Sequence, residues 1–570
     1  MKRNYSFKKV LLISAVLLTC IVCMDAHDFT VDGIYYNFNA DGESVSVTYM
    51  GNSNSSSVYS GDVVIPSEVT YNGEIYPVTE IGGYAFAKCS SLTDVVIPNS
   101  VTSIGSDAFW LCEALTQINI PNSVVSIGGD AFTRCISVTD IFIPSSVTFI
   151  GIHAFSNCWG LTRIEVDENN TVFDSRDNCN AIIETASNEL LAGCVNTVIP
   201  NTVTRIGHSA FLNVRNLTQI EIPNSVTTIG EYAFDSCVGL TQINLPNSVT
   251  VIENAAFRDC SGLTSFEIPE SVTALGSNVF SMCSGLTSLY IPANVSSIGY
   301  FLVTRCDNLT SLVVDPNNRY YDSRDNCNAI IYTEENQLLE GCKTSTIPYG
   351  IEYIALGAFY ECYDLTQITI PNTVRVIDSD AFHGCTGLTH LEIPSSVIAI
   401  NFEAFRDCAN LVDVTFKDGL EYLDVGAFRG CTGLTSITLP SSLKSLDGLT
   451  FYGCTGLTDL TCLATTPPKI EAYDCFSSVT YSTATLHVYP SAMESYQKAI
   501  YWNYFKNITG VQYIPGDVNG DNTLSITDVT ALINLLLEGD YMNDAADANG
   551  DGTISITDVT TLINRLLSGE

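Results

Sequence analysis

The chain is poor in positive charge. It has 24 Lys and Arg residues against 62 Asp and Glu residues, and its formal net charge is −38. Nucleic acids and anionic membranes both require clustered basic side chains, so this balance excludes them as main partners. The acidic surplus suits an exported protein that works among divalent cations.

Motifs of common hydrolases and nucleotide-binding enzymes are missing. The chain contains no Gly-x-Ser-x-Gly, no His-Glu-x-x-His and no phosphate-binding loop, and its six histidines are scattered. A paired acid and base would need a pocket, and nothing in the sequence implies one. We therefore expect a protein that binds and does not catalyse.

Long apolar runs are also lacking, apart from one near the start. Val10–Cys23 is 14 residues long, which is too short to span a bilayer comfortably, and it follows a basic beginning. This pattern predicts a signal peptide over residues 1–26, with cleavage after Ala26. Lipidation at Cys20 or Cys23 is an alternative to free secretion.

What the chain has in abundance is a repeat of 23 residues. Phe86, Phe109, Phe132 and Phe155 are evenly spaced, and a cysteine follows each of them by three residues. A fixed period of this length is typical of stacked units that bury their apolar faces against one another. Strands one repeat apart run in the same direction, so we expect a parallel-stranded solenoid that is mostly β.

One unit illustrates the local structure. The alternation of Leu115, Ile118 and Ile120 predicts a short strand with one buried face, and Pro121 ends it because proline has no amide proton to donate. The thirteen cysteines in the repeat register point the same way in successive coils, which does not suit disulfide geometry. We expect them to form a ladder of buried thiols.

Two similar inserts interrupt the repeat, near residues 167–199 and 315–347. Each has two apolar runs around a polar turn, which predicts a β-hairpin. Two interpretations of the bracketing cysteines remain open, namely cross-strand disulfides or free buried thiols. The cysteines concerned are Cys179 with Cys194 and Cys327 with Cys342.

The repeat ends on both sides in non-repetitive sequence. We expect an N-terminal cap over residues 27–80, the solenoid over 81–462 and a C-terminal cap over 463–512. Strand positions that alternate outward are candidates for contacting a ligand, and exposed aromatic residues among them favour a partner surface. The candidates are Gln117, Asn119, Phe142, Gln242, Asn244 and Tyr290.

The repeat Leu-Thr-x-Ile-x-Ile-Pro-x-Ser-Val-Thr-x-Ile-Gly-x-x-Ala-Phe-x-x-Cys resembles the BspA-type leucine-rich repeats of bacterial surface proteins. The resemblance covers residues from about 80 to 462 and includes the cap around Tyr489 and Trp502. It implies an exported or cell-surface adhesin that binds host proteins, matrix proteins or other cells.

A second motif follows Pro515. Oxygen-bearing residues stand at positions 1, 3, 5, 7, 9 and 12 of two loops, a spacing that wraps ligands around one Ca²⁺ ion per loop. An amphipathic helix follows each loop. The predicted metal-binding residues are Asp517, Asn519, Asp521, Thr523, Ser525 and Asp528 in the first loop, and Asp547, Asn549, Asp551, Thr553, Ser555 and Asp558 in the second.

Residues 516–568 resemble type I dockerin modules, which are small α-helical calcium-binding domains. The resemblance implies that the module docks to a cohesin on another protein, with Thr527 and Thr557 on the contact face. The neighbouring Ile526 and Ile556 make that face more apolar than in many dockerins. We expect a non-catalytic adhesion protein; the alternative is an accessory glycan-binding or spacer subunit of an extracellular complex for polysaccharide catabolism.

Overall fold

The computed structural model of the protein describes residues 27–50, 58–511, 515–519, 523–538, 544–550 and 553–568. The predicted signal peptide, with Cys20 and Cys23, lies outside these residues, as do Asp521 and Asp551. The chain forms two compact units, which divide between Gly262 and Leu263. Among the described helices, none has the length and hydropathy needed to cross a bilayer.

The first unit begins with antiparallel hairpins. Phe29–Val31 pairs with Ile34–Phe38, which pairs in turn with Val45–Thr48. Asp32 and Gly33 connect the first two strands with positive φ values of 48° and 80°, as a two-residue hairpin turn requires. Val45–Thr48 then joins Glu74–Ile81 in parallel, so the hairpins lead directly into the parallel sheet.

The rest of the first unit is built from coils whose strands pair in parallel, one repeat apart. A two-residue strand in each coil forms the continuous ladder, and a longer strand appears only in some coils. The predicted strand Leu115–Ile120 is reduced to one bridge between Ile118 and Ile141. The strands are Phe29–Val31, Ile34–Phe38, Val45–Thr48, Gly61–Val64, Glu68–Tyr71, Glu74–Ile81, Leu92–Val96, Ser103–Ile104, Ser126–Ile127, Asp140–Ile143, Phe149–Ile150, Arg163–Val166, Phe173–Asp174, Ala181–Glu184, Glu189–Gly193, Arg205–Ile206, Thr228–Ile229 and Val251–Ile252, with a 3₁₀ turn at Arg176–Asn178.

The second unit repeats this architecture, with its own insert and parallel ladders. Its strands are Ala274–Leu275, Ser288–Ile291, Ser297–Ile298, Ser311–Val314, Tyr321–Asp322, Ala329–Tyr332, Gln337–Gly341, Tyr353–Ile354, Val376–Ile377, His390–Ile393, Ala399–Ile400, Asp413–Phe416, Tyr422–Leu423, Ser436–Leu439, Ser445–Leu446, Asp459–Cys462, Lys469–Ile470, Thr485–Val488 and Asn507–Gly510. Its helices are α1 (Ser478–Thr483), α2 (Met493–Lys498), α3 (Ile526–Glu538) and α4 (Ile556–Ser568), with 3₁₀ turns at Arg324–Asn326, Pro490–Ala492, Trp502–Tyr504 and Asp544–Ala546.

Stacked phenylalanines form the centre of each coil. Phe86 and Phe109 have ring centroids 4.9 Å apart and are tilted by 3°, and the next pair in the stack is 5.1 Å apart. The coils approach so closely that a Cβ on Gly128 would overlap the backbone of Ser106. The repeated side chains therefore bury one another in register, which is the reason for the fixed spacing in the sequence.

The register cysteines are free thiols, as predicted, and most of them donate to a backbone carbonyl of the preceding coil. The Cys112 Sγ donates to the Phe86 carbonyl in the preceding coil at 3.0 Å, and Cys135 donates in the same way to Phe109 at 3.3 Å. The same bond recurs along both units. A thiol is therefore a small apolar filler that also satisfies a buried carbonyl, a role that the sequence alone does not reveal.

The inserts are hairpins, as predicted. Ala181–Glu184 and Glu189–Gly193 are antiparallel, and the second strand then pairs in parallel with Arg205–Ile206, so the hairpin replaces one coil in the ladder. Ala329–Tyr332 and Gln337–Gly341 repeat this arrangement in the second unit.

The structure corrects the disulfide interpretation of the inserts. Cys179, Cys194, Cys327 and Cys342 are all free thiols. The strands are paired so that Ala181 faces Gly193, and one further step sets Cys194 opposite Asn180. The Cys194 Sγ accordingly contacts the Asn180 carbonyl at 3.6 Å, and the second insert has the same contact between Cys342 and Asn328.

The parallel sheet continues into the segment predicted as the C-terminal cap. Thr485–Val488 pairs with Asp459–Cys462, and Asn507–Gly510 pairs with Thr485–Val488. Trp502 closes this end of the core, since its indole N–H donates to the Pro468 carbonyl at 2.7 Å and its side chain is buried. With Lys469–Ile470, which pairs with Ser445–Leu446, the capping residues thus add three strands to the solenoid before they cover it.

Candidate functional site

The first predicted calcium loop is organised around Asp528, in the first turn of helix α3. Its side chain is fully buried, and its two carboxylate oxygens accept hydrogen bonds from the backbone amides of Asn519 at 3.1 Å and Ser525 at 2.8 Å. The carboxylate thus holds the start and the end of the loop together. Asp517, at the first position of the loop, is also buried, at 4% exposure.

The second loop has the same geometry. Asp558 is fully buried at the start of helix α4, and it accepts from the amides of Asn549 at 3.1 Å and Ser555 at 2.8 Å. Two sequences thirty residues apart therefore fold into one arrangement. The repetition indicates a structural unit that is used twice, and not a chance accumulation of acidic residues.

The donor set fits a hard divalent cation. The predicted ligands in each loop offer only carboxylate, amide, hydroxyl and carbonyl oxygens, which are the groups that Ca²⁺ prefers. Buried carboxylates repel one another in the absence of a cation, so a bound ion would stabilise the loop. Asp521 and Asp551, the predicted ligands at the fifth position, lie outside the described residues. The assignment of the individual ligands stays a prediction.

The helices after the loops present apolar side chains in both directions. Val529 and Leu532 of α3 and Val559 and Leu562 of α4 form a shared core with Val518, Ala546 and Ala548. Other members of the predicted apolar stripes point outward instead. The exposed apolar residues are Ile526, Ile533 and Leu537 on α3 and Ile556, Ile563 and Leu567 on α4.

The part of this exposed row that the sequence reasoning missed is Ile533 with Leu537 and Ile563 with Leu567, since Ile526 and Ile556 were expected on the contact face. Leu537 and Leu567 are 80% and 81% exposed, although helical periodicity alone groups them with the core residues. A core made of two 13-residue helices with Val518, Ala546 and Ala548 does not cover a stripe as wide as the one in the sequence. In the sequence, these exposed residues are indicated by an apolar stripe that is wider than so small a core can bury.

Thr527 and Thr557 lie at the exposed starts of these two helices. The Thr527 hydroxyl accepts from the Asn519 side-chain amide at 2.9 Å, and Thr557 accepts from Asn549 at 3.1 Å. Each threonine is thereby linked to a residue of the predicted calcium loop that precedes it. In both copies, the conformation of the loop and the position of the exposed threonine hydroxyl are therefore linked by a hydrogen bond.

The predicted ligand-contacting residues of the solenoid are all exposed. Phe142 and Tyr290 are 42% and 45% exposed, each on the outward face of its own strand. The Tyr290 hydroxyl donates to Asp315 at 2.6 Å, which fixes the ring. Gln117, Asn119, Gln242 and Asn244 are exposed as well.

One cluster of metal-ligating groups occurs in the described part of the repeats, at Asp380, His383 and Glu403. The Glu403 carboxylate is already paired with Arg406 at 2.7 Å and with Arg429 at 3.4 Å. The His383 Nδ1 lies 2.8 Å from Asp380. Two guanidinium groups oppose a second cation at this point, so the cluster is an ion-pair network that links neighbouring coils.

Two family models match the chain. The BspA type leucine rich repeat region matches in six copies, over residues 67–183, 188–317 and 337–510. The dockerin type I domain matches residues 515–567. No curated protein matches the chain.

Several solved structures are similar to the chain. A leucine-rich repeat protein from Bacteroides ovatus is 26% identical, covers 73% of this chain and 95% of its own, and has a TM-score of 0.36. A leucine rich cell surface protein from Faecalibacterium prausnitzii is 23% identical, covers 85% and 95%, and has a TM-score of 0.34. The pneumococcal vaccine antigen PcpA is 15% identical, covers 85% and 98%, and has a TM-score of 0.40.

Proposed function

Because the chain belongs to the BspA-type leucine-rich repeat proteins and carries a dockerin type I domain at residues 515–567, we propose that it is an exported, non-catalytic adhesion protein. The solenoid presents a ligand surface, and the terminal module docks the protein to a cohesin-type partner. Both families are non-catalytic modules of extracellular or cell-surface proteins, which supports this assignment.

The duplicated loop and helix carry the docking proposal. Each copy joins a buried loop carboxylate, Asp528 or Asp558, to a helix whose outer face is apolar. A row of exposed Ile and Leu side chains on a small domain is typical of a protein interface. Calcium would act here by holding the oxygen ligands of each loop together, which orients the helix that follows.

Two equivalent faces make a single substitution a poor test, because the second copy can replace the first. We therefore propose the full chain with Ile526→Asp and Ile556→Asp combined, and surface plasmon resonance against a panel of immobilised cohesin domains. In calcium the unmodified chain is expected to bind at least one cohesin, and the double variant to lose at least tenfold in affinity. Tyr349→Asp, at a 75% exposed tyrosine of the solenoid, is the matched control.

A chain that binds no cohesin, or that binds equally well in excess chelator, would contradict the docking role. If the double variant binds cohesin with unchanged affinity, the interface lies outside α3 and α4. Each single variant should retain most of the affinity if the two copies are interchangeable.

The solenoid role rests on Phe142 and Tyr290, because an exposed aromatic side chain on a polar sheet contributes contact area at low entropic cost. The same observation favours the second candidate function, an accessory subunit that binds glycans during polysaccharide breakdown, since sugars pack on aromatic rings. Affinity electrophoresis of Phe142→Ala and Tyr290→Ala in polysaccharide gels separates the two. If a polysaccharide retards the unmodified chain and neither variant, the glycan role is supported. If no polysaccharide retards the unmodified chain, a protein ligand is supported.

A further inference from the structure

A cavity of about 270 Å³ lies in the first unit, where the insert interrupts the stack of coils. Phe132 and Phe155 stack at 5.5 Å on one side of the insert, and Phe211 and Phe234 stack at 5.0 Å on the other. The Phe211 ring packs so tightly on Gly193 of the insert that a Cβ there would overlap it. The hairpin therefore fills the centre of the core and leaves space beside it.

The cavity has a largely apolar lining. Phe155, Ile182, Leu191, Ala210 and Val214 contribute aromatic and aliphatic surface. Its volume exceeds the roughly 150 Å³ of an engineered protein cavity that binds benzene. A molecule with a single aromatic ring and one or two substituents matches this space.

One wall of the cavity is polar and highly ordered. The Ser209 Oγ lies 2.9 Å from His153 Nε2 and 2.9 Å from His208 Nδ1. Asp130 lies 3.7 Å from the other nitrogen of His153, and Glu231 lies 3.9 Å from the other nitrogen of His208. The five residues form one chain of polar groups along the wall.

The protonation of these polar groups follows from counting their protons. Ser209 has one hydroxyl proton, so it donates to one imidazole and accepts from the other. Asp130 favours a proton on the near nitrogen of His153, which leaves Nε2 as the acceptor for Ser209. Burial lowers the pKa of His153, so its ring is neutral near pH 7. Ser209 therefore donates to His153, and Asp130 and Glu231 lie behind the two imidazole rings.

The second insert shows that a hairpin alone does not create the cavity. There Phe301 stands in the place of His153, Gly357 in the place of Ser209 and Glu340 in the place of Ala192. A Cβ on Gly357 would overlap the Phe301 ring, so the ring occupies the space that Ser209 borders in the first insert. The equivalent cavity shrinks to about 20 Å³.

We propose that the cavity of the first insert is a binding site for a small uncharged aromatic molecule with one hydroxyl group, that is, a ligand of the phenol class. The aliphatic lining accepts the ring, and the ligand hydroxyl donates to the Ser209 oxygen, which has a second lone pair available beside His153 and His208. The carboxylates of Asp130 and Glu231 disfavour an anion. Glu189, a carboxylate in the lining, is already paired with Arg205 at 3.4 Å, which disfavours a cationic ligand.

The test uses the full chain and three probes that differ in one group, namely 4-methylphenol, toluene and 4-methylbenzoate. Binding is measured by saturation-transfer NMR and by isothermal titration calorimetry. We expect 4-methylphenol to bind about tenfold more tightly than toluene, which is the effect of one hydrogen bond. We expect no detectable binding of 4-methylbenzoate.

Variants distinguish the contribution of the polar wall to binding from that of the apolar space. Ser209→Ala is expected to weaken 4-methylphenol about tenfold and to leave toluene unchanged. The double change His153→Phe with Ser209→Gly copies the residues that close the second insert, and it is expected to abolish binding of both probes. Leu212→Tyr, which also copies the second insert, is a single change with the same expected result if the double variant does not fold. Glu168→Gln, at an exposed position that does not line the cavity, is the matched control and should bind as the unmodified chain does.

The proposal is overturned if none of the three probes binds, or if 4-methylbenzoate binds as well as 4-methylphenol. It is also overturned if a folded closing variant, with an unchanged melting temperature, still binds 4-methylphenol. These outcomes are independent of cohesin binding, so the cavity and the docking role can fail separately.

Discussion

The Glu340 carboxyl accepts a hydrogen bond from the backbone amide of Val303 at 3.0 Å inside the second insert. The side chain is only 3% exposed, and burial raises its pKa to about 8. In an unfolded chain the pKa of a glutamate is about 4.3. Between these two values the folded protein holds a proton that the unfolded chain has released, so the free energy of unfolding falls as the pH rises.

This difference predicts a pH-dependent stability that belongs to one residue. From about pH 4.3 to about pH 8, Glu340 should lower the free energy of unfolding by up to about 1.4 kcal/mol per pH unit, with no further loss above that range. Glu340→Gln keeps the hydrogen-bond acceptor and removes this dependence of the free energy of unfolding on pH. Urea midpoints across this pH range test it, with the exposed Glu168→Gln as the control. Equal slopes in Glu340→Gln and the unmodified chain would contradict the prediction.

Calcium removal is expected to unfold the terminal module and spare the repeats. The α3 and α4 core is small, and the buried Asp528 and Asp558 repel neighbouring carboxylates once the cation is gone. Excess chelator should therefore reduce the helical far-UV signal at 222 nm, while the thermal transition of the repeats is unchanged. Asp528→Ala combined with Asp558→Ala should reproduce this loss in calcium. A far-UV signal unaffected by chelator would refute the prediction.

The phenylalanine stack predicts a large contrast between two aromatic substitutions in the first unit. Phe234 is fully buried between Phe211 at 5.0 Å and Phe257 at 5.4 Å. Phe234→Ala should cost about 3–5 kcal/mol, because it leaves a cavity between two rings. Phe142→Ala, on the exposed sheet face, should change stability by less than about 0.5 kcal/mol. Denaturant unfolding of both variants tests this. Similar losses in the free energy of unfolding would show that the stacked rings do not stabilise each other.

The register thiols are predicted to be chemically inert while the protein is folded. Burial raises the pKa of Cys158, Cys408 and Cys454 to about 12, and the thiolate is the reactive form. Iodoacetamide at pH 8 should leave these residues unmodified in the native chain and label them fully in guanidinium chloride. Peptide mass spectrometry provides the measurement for each site. Native labelling of Cys158 comparable to that in denaturant would disprove the expectation.

The fold class could be predicted from the sequence because stacked side chains impose their spacing on it. Phe86 and Phe109 recur at one interval since their rings lie 4.9 Å apart, and that interval indicated parallel coils directly. The two hairpins were confirmed for a similar reason, as each is a local pattern of apolar runs around a turn.

Other features depend on contacts between residues distant in sequence. The offset that sets Cys194 opposite Asn180 follows from strand register, which the position of two cysteines does not determine. The burial of Glu340 depends on its neighbour Val303, and the exposure of Leu537 depends on how little surface a partner helix covers. The 12 predicted metal ligands and the outward solenoid residues remain predictions about function.

The two inserts enter their ladders in the same register, since Leu190 pairs with Ile206 and Leu338 pairs with Ile354. Exchange of one insert for the other would therefore preserve the pairing with the coil that follows. The two copies can differ at positions such as those of His153 and Phe301 while the ladder keeps its register.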